Sequence, residues 1–127
     1  MNCKNALRAS SQITESLADL NSELSNEEID PLRIGIGIHT GKAIIGKMGY
    51  GEASSETAIG DTVNVASRLE QLTKNYSCQL MFSNAVAEEA MLDKTKLKSV
   101  RTEIRGKKKE IDAFCCNNAK DAIEAFQ

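Results

Sequence analysis

Between residue 4 and about residue 25, Ala6, Ile13, Leu17, Leu20 and Leu24 recur at helical spacing with Ser, Asn and Glu between them. That spacing predicts an amphipathic helix. "SNEEIDP" breaks the pattern, and Pro31, the only proline, closes the loop. Leu32, Ile34, Ile36 and Ile38 then alternate with Arg33, Gly35, Gly37 and His39. Period two predicts a strand with one apolar face. "HTGK" follows as a turn, and "AIIGKMG" is expected to return as the second strand of a hairpin. After the polar loop "YGEASSE", "GDTVNVASRLEQLTK" opens a second helix, with Asp61 as its N-cap and Val63, Ala66, Leu69 and Leu72 as its buried stripe. "CQLMFS" reads as a short apolar strand, and Ser83 begins a small helix, "NAVAEEAM". "KLKSVRTEIRGKKKEIDAFCC" reads as a second hairpin around "RGKKK", and "AKDAIEAF" as a terminal helical turn. Helix, hairpin, helix, strand, helix, hairpin predicts helices packed on one mostly antiparallel sheet, an α/β (α+β) sandwich. In it the hairpin 32–49 is expected to be central, with the helix near 61–73 covering one face.

The glycines of "RIGIGIHTGKAIIGKMG" ask for an explanation, since phosphate loops are built from such residues. A P-loop needs Gly-x-x-x-x-Gly-Lys-Ser/Thr. Counted back from Gly41 and Lys42, the first glycine is due where Ile36 stands, and Ala43 replaces the hydroxyl. The dinucleotide pattern fails too, because after Gly35 and Gly37 its third glycine is due at Thr40. Gly35 and Gly37 share one strand face instead, bare of side chains. Such a face admits a backbone, a helix or a ligand at close range.

Composition narrows the function classes. One domain with a sizeable core fits 127 residues, and a net charge of -2 excludes a generic nucleic-acid binder. No apolar run approaches the roughly 18 residues a spanning helix needs, and "MNCKNALRASS" lacks a signal-peptide core. A cytoplasmic protein with no membrane contact by this segment is expected. Cys3, Cys78, Cys115 and Cys116 lack CxxC spacing, and the single His39 completes no zinc set with them. Reduced thiols are expected, with Cys115 and Cys116 pointing to opposite faces of a strand.

Two places offer chemistry. Asn64 and Arg68 are four apart on the second helix and share a face. An amide beside a guanidinium suits an anionic ligand, phosphate above all, and is also an ordinary solvated helix face. The basic tract Lys94, Lys96, Lys98, Arg101, Arg105, Lys107, Lys108 and Lys109 holds eight of the sixteen basic residues, offset there only by Glu103. Its glycine-kinked tip can hold a polyphosphate or be a solvated turn.

With "RIGIGIHTGKAIIGKMG" followed by "TAIGDTVNVASRLE" and a late "RGKKKEIDAF", the chain resembles the catalytic domain of class III adenylate/guanylate (nucleotidyl) cyclases, bacterial adenylyl cyclases in particular. The likeness runs almost end to end, and the segment 57–70 is long and specific. The glycine-bearing stretch then looks like the family's central hairpin, packed in the dimer core. The resemblance implies a ferredoxin-like cyclase sandwich that converts ATP to 3′,5′-cyclic AMP and pyrophosphate in intracellular signalling. It implies sites formed between two domains facing head to tail, a homodimer. Asn64 is then expected to orient the ribose and Arg68 to stabilise charge on the α-phosphate. Lys107 matches the family's triphosphate-binding lysine, and Thr57 one of two base-selecting positions, where guanylyl cyclases usually carry cysteine.

The family's domain also has a first strand with a metal-binding Asp and a Gly-Asp hairpin with a second. Two ions, Mg²⁺ or Mn²⁺, are held there. Nothing in residues 1–127 matches those segments, so the chain is expected to be the C-terminal portion of the domain, without its N-terminal strands. No metal ligand is assigned to it, and it is expected to be inactive alone. Glu56 stands where the family usually has an aromatic residue. The alternatives are a non-catalytic cyclase-like dimerisation or binding module, and a guanylate cyclase.

Overall fold

A computed structural model describes residues 3–49, 51, 55–103 and 110–127. In chain order the elements are α1 (Cys3–Asn26), β1 (Ile36–Ile38), β2 (Ile44–Met48), β3 (Ser55–Ile59), α2 (Asp61–Asn75), β4 (Leu80–Ser83), α3 (Asn84–Glu89), β5 (Lys98–Glu103), β6 (Glu110–Cys116) and α4 (Lys120–Glu124). A 3₁₀ turn, Lys94–Lys96, precedes β5.

Four strands form one sheet in the order β1-β4-β6-β5, and β2 pairs with β3 in a separate two-stranded sheet. Within the larger sheet β1 runs parallel to β4, while the β4–β6 and β5–β6 pairs are antiparallel. The mostly antiparallel mixed architecture is as expected. The hairpin 32–49 is not. Ile36 pairs with Leu80 and Ile44 with Ile59, so the two arms belong to different sheets. The "HTGK" turn therefore passes the chain from one sheet to the other. Residues 55 and 56, read as loop, open β3. The strand predicted from Leu32 is regular only over Ile36–Ile38, and Leu32 and Ile34 are exposed.

Alternation along β4 and β6 puts a core on each face of the sheet. Leu80 and Phe82 face Phe114, Cys116, Leu7 and Val86. Met81 faces Ala113, Cys115, Val65, Leu69 and Leu72 on the other side. The register makes this consistent, since Phe82 opposes Phe114 and Met81 opposes Cys115. The Phe82 and Phe114 rings lie 5.7 Å apart, centroid to centroid. Helices α1, α3 and α4 contribute to the first core and α2 to the second, a three-layer sandwich.

The bare face of β1 is where α2 lies. A Cβ at Gly37 would overlap the Ala66 carbonyl oxygen and the Glu70 amide nitrogen, and one at Gly35 would overlap the Thr73 hydroxyl. Ile36 and Ile38, on the opposite face, pack against the first core. Period two thus separates an apolar face from a face that takes a helix backbone directly. Of the occupants the sequence left open, a helix fills the place.

Helix interiors differ from their predicted stripes. In α1 the buried positions are Cys3, Leu7, Ser10 and Thr14, while Ile13 and Leu20 are 51% and 41% exposed. Position 13 stands about 100° round the helix from position 14, so the two stripes cannot both be buried. The first half of α1 is held against α3 and α4. Ser10 and Thr14 satisfy their hydroxyls on the carbonyls of Leu7 and Ser11. Its second half clamps the following loop, where the Asn21 amide donates to the Leu32 carbonyl and accepts from the Leu32 amide, at 2.9 and 2.8 Å. In α2 the buried residues are Val65, Leu69, Leu72 and Thr73, so Val65 takes the place predicted for Val63. The N-cap is Gly60, without a side-chain cap, and Asp61 is the first helical residue.

All four cysteines are free thiols, and Cys115 and Cys116 point to opposite cores. Burial pushes Cys116 up to about 12, and Cys3 and Cys78 to about 11, which keeps them protonated and inert. Among the described residues no helix is long and apolar enough to cross a membrane.

If the β1–α2 contact sets the fold, Gly37→Ala should lower unfolding stability by about 2 kcal/mol or more, because the obstruction is backbone and cannot turn aside. Gly46→Ala, where a Cβ meets nothing within 4 Å, should change it by less than about 0.5 kcal/mol. Urea denaturation of both variants makes the comparison, and equal midpoints would refute it.

Candidate active site

The start of α2 is built without a side-chain cap. The first intrahelical bond runs from the Asn64 amide to the Gly60 carbonyl at 3.1 Å. Asp61 in the first turn complements the helix dipole. Thr62 donates its hydroxyl to the Lys42 carbonyl, 2.6 Å away, tying the helix to the turn that leaves β1. That turn has a second anchor in His39, whose Nδ1 lies 2.6 Å from the Ser83 hydroxyl at the end of β4. Burial holds the imidazole below its ordinary range.

Asn64 and Arg68 stand one turn apart beside the buried positions Val65 and Leu69. Asn64 is exposed, its amide side chain open to whatever approaches. Arg68 is half-buried, and its Nε is shut off from solvent with no hydrogen-bond partner among the described residues. A sealed, unpartnered donor costs about 1–3 kcal/mol. A guanidinium in that condition is a strong donor waiting for an acceptor.

Thr57 is on β3, which packs against the same helix. It is half-buried and directly opposite Gly46, where a Cβ would meet nothing within 4 Å. The strand face beside Thr57 is therefore bare, flanked by the exposed Ile44 and Ile59. Lys107 lies outside the described residues, as does the rest of the tip 104–109. The structure thus brings Asn64 and Arg68 together on α2 with β3 alongside. Part of the basic tract is spent on its own surface: Lys94 pairs with Glu88 at 3.2 Å, and Arg101 with Asp112 at 3.1 Å across β5–β6. Among the described residues no group of three or more His, Cys, Asp or Glu stands together to hold a metal ion. Thr62 escaped the sequence reading, although a glycine at 41 in the turn and a hydroxyl in the first helical turn were its available signals.

Asn64 and Arg68 thus stand one turn apart on a helix laid against the glycine face of a strand in a mixed sandwich. The model of the adenylate and guanylate cyclase catalytic domain matches residues 2–118, and the chain belongs to that family. Adenylate cyclase 1 of Rhizobium meliloti (strain 1021) is 35% identical over 112 residues, which are 87% of this chain and 17% of that protein. An adenylate cyclase of Anabaena cylindrica is 31% identical over 116 residues, 86% of this chain and 23% of that protein. The chain thus spans less than a quarter of the length of either relative. Among solved structures, the guanylyl cyclase Cya2 shares the fold with a TM-score of 0.70 at 21% identity, over 89% of this chain and 58% of that one. A bacterial light-regulated adenylyl cyclase aligns with a TM-score of 0.65 at 25% identity, over 98% of this chain and 34% of that one.

The sealed Arg68 Nε has a consequence for stability. Arg68→Met removes an unsatisfied donor and keeps the apolar stem, so unfolding stability should stay level or rise by about 1 kcal/mol. Chemical denaturation reads this directly, and a loss of that size would mean that the guanidinium is held by the fold for its own sake.

Proposed function

We propose that this chain is the C-terminal portion of an adenylate cyclase catalytic domain, turning ATP into 3′,5′-cyclic AMP and pyrophosphate for intracellular signalling on the cytoplasmic side. The observation that carries the reading is Arg68, a half-buried guanidinium with an unpartnered donor, one turn from an exposed amide, on the helix of a cyclase-family domain. Support for adenine over guanine comes from relatives named as adenylate cyclases and from the threonine at 57.

In the reaction the ribose 3′-oxygen attacks the α-phosphorus, the bond from that phosphorus to the bridging oxygen breaks, and pyrophosphate leaves as the 3′-hydroxyl gives up its proton. In-line transfer of this kind depends on positioning and on charge placed where charge grows. Asn64 orients the ribose so that the 3′-oxygen lies in line. Arg68 meets negative charge on the α-phosphate oxygens, and the desolvation of its Nε makes that interaction stronger than in water. Thr57 contacts the base over the bare strand face, and Lys107 holds the triphosphate. The site closes against a second cyclase domain arranged head to tail. Mg²⁺ or Mn²⁺, which the family employs to activate the hydroxyl and bind phosphate, would be held by residues other than these.

Steady-state cyclic AMP production, by an intact cyclase carrying this domain and by the bare 127-residue chain, tests the reading with Mg²⁺ or Mn²⁺ supplied. Arg68→Ala in the intact enzyme should lower kcat by about 100-fold with KM within about threefold, since its partner charge appears only in the transition state. Asn64→Ala should behave alike, and the bare chain should be silent. An Arg68→Ala enzyme at the wild-type rate would overturn the site, and metal-dependent turnover by the bare chain would overturn its assignment as a part. For the base, Thr57→Ala should change the ratio of ATP to GTP kcat/KM more than it changes kcat with the better nucleotide. An unchanged ratio would remove Thr57 from recognition and reopen the guanylate reading.

A further inference from the structure

We infer that Thr62 is a positioning residue of this site, whose hydroxyl fixes the first turn of α2 and thereby the place of Asn64; the inference rests on the cyclase reading of Asn64. The reasoning begins with what that turn lacks. Its N-cap is a glycine, which has no side chain to cap the helix, and the first amides of any helix lack intrahelical partners. Asn64 makes the first intrahelical bond, back to Gly60.

Thr62 tethers this turn to distant chain, donating to the Lys42 carbonyl at 2.6 Å across twenty residues of sequence. The fit is tight from both sides, because a Cβ at Gly41 would come within 2.6 Å of the same hydroxyl oxygen. The turn it grips is itself held: His39 Nδ1 meets Ser83 Oγ at 2.6 Å, and Ser83 ends β4, whose four residues are all buried. A continuous path thus runs from the core strand through His39 and the 39–42 turn to Thr62 and Asn64. Arg68 is placed by a different contact. It lies between Ala66 and Glu70, whose backbone rests on Gly37. The two functional side chains of α2 therefore have separate supports, the Thr62 clasp for Asn64 and the glycine face for Arg68.

This separation makes a test that a merely structural role would not satisfy. In the intact cyclase, Thr62→Val keeps the side-chain shape and deletes the donor, and it should lower kcat by about tenfold with KM nearly unchanged. Thr62→Ser should restore the rate. Combined with Asn64→Ala, Thr62→Val should cost nothing further, because it acts through Asn64; combined with Arg68→Ala it should cost its full factor. A full additional loss on Asn64→Ala, or a serine variant as slow as the valine one, would overturn the inference. In the bare chain, hydrogen exchange of the Asn64 amide should quicken by about tenfold in Thr62→Val while amides beyond Leu69 hold their rate. Unchanged exchange at Asn64 would remove the clasp itself. A wild-type enzyme that makes no cyclic nucleotide would instead remove the cyclase reading, and the two failures are told apart by the exchange measurement.

Discussion

Two missing side chains govern this molecule. Because Gly35 and Gly37 present bare backbone on one face of β1, α2 descends until the Ala66 carbonyl and the Glu70 amide lie where Cβ atoms would otherwise stand. The second core and the setting of Arg68 follow from that depth. Val65, Leu69 and Leu72 reach Met81 and Cys115 and close the second core, and Arg68, on the same helix, is drawn in far enough for its Nε to lose water. A strand with alanines at 35 and 37 would hold the helix off, loosen that core and leave the guanidinium in solvent. The glycines serve packing, and through packing they serve charge.

Charge placement and stability pull apart at this helix. A buried donor without a partner lowers stability, and protein interiors seldom tolerate one. The helix start lacks a side-chain cap as well, with a glycine where a serine or an aspartate would serve better. Both shortfalls fall on the segment that carries Asn64 and Arg68. Elsewhere polar groups are well provided: Ser10 and Thr14 bond their own helix, Asn21 makes two bonds to Leu32, and Thr73 donates to the Glu70 carbonyl.

The surface carries apolar groups in an uneven way. Ile13, Leu20, Ile29, Leu32 and Ile34 are exposed along α1 and the segment after it, and Ile44, Ile45 and Ile59 on the two-stranded sheet. β1 forms an edge of the larger sheet with only three regular residues. Exposed apolar residues beside an open strand edge favour association over a solitary existence in water. The proposed pairing with a second cyclase domain is in keeping with such a surface.

Some of this was legible in the residues alone. The alternation of isoleucine and glycine over 34–38 fixed which face of β1 is apolar, because successive side chains on a strand must point opposite ways. The four-residue step from Asn64 to Arg68 fixed a shared helix face for the same covalent reason, and the run "TAIGDTVNVASRLE" identified the family. What the chain could not state locally was who lies against whom. The arm 44–48 has the composition of a partner for β1, yet β1 pairs with β4, more than forty residues away, and β2 with β3. The stripe Ile13, Leu17, Leu20 and Leu24 is as regular as any buried one. It is α3 and α4 that select the neighbouring stripe of α1 instead. Periodicity is a property of the backbone and is written in every short segment. Burial and pairing are decided by competition among distant segments for the same surface, and only the assembled structure records which of them won.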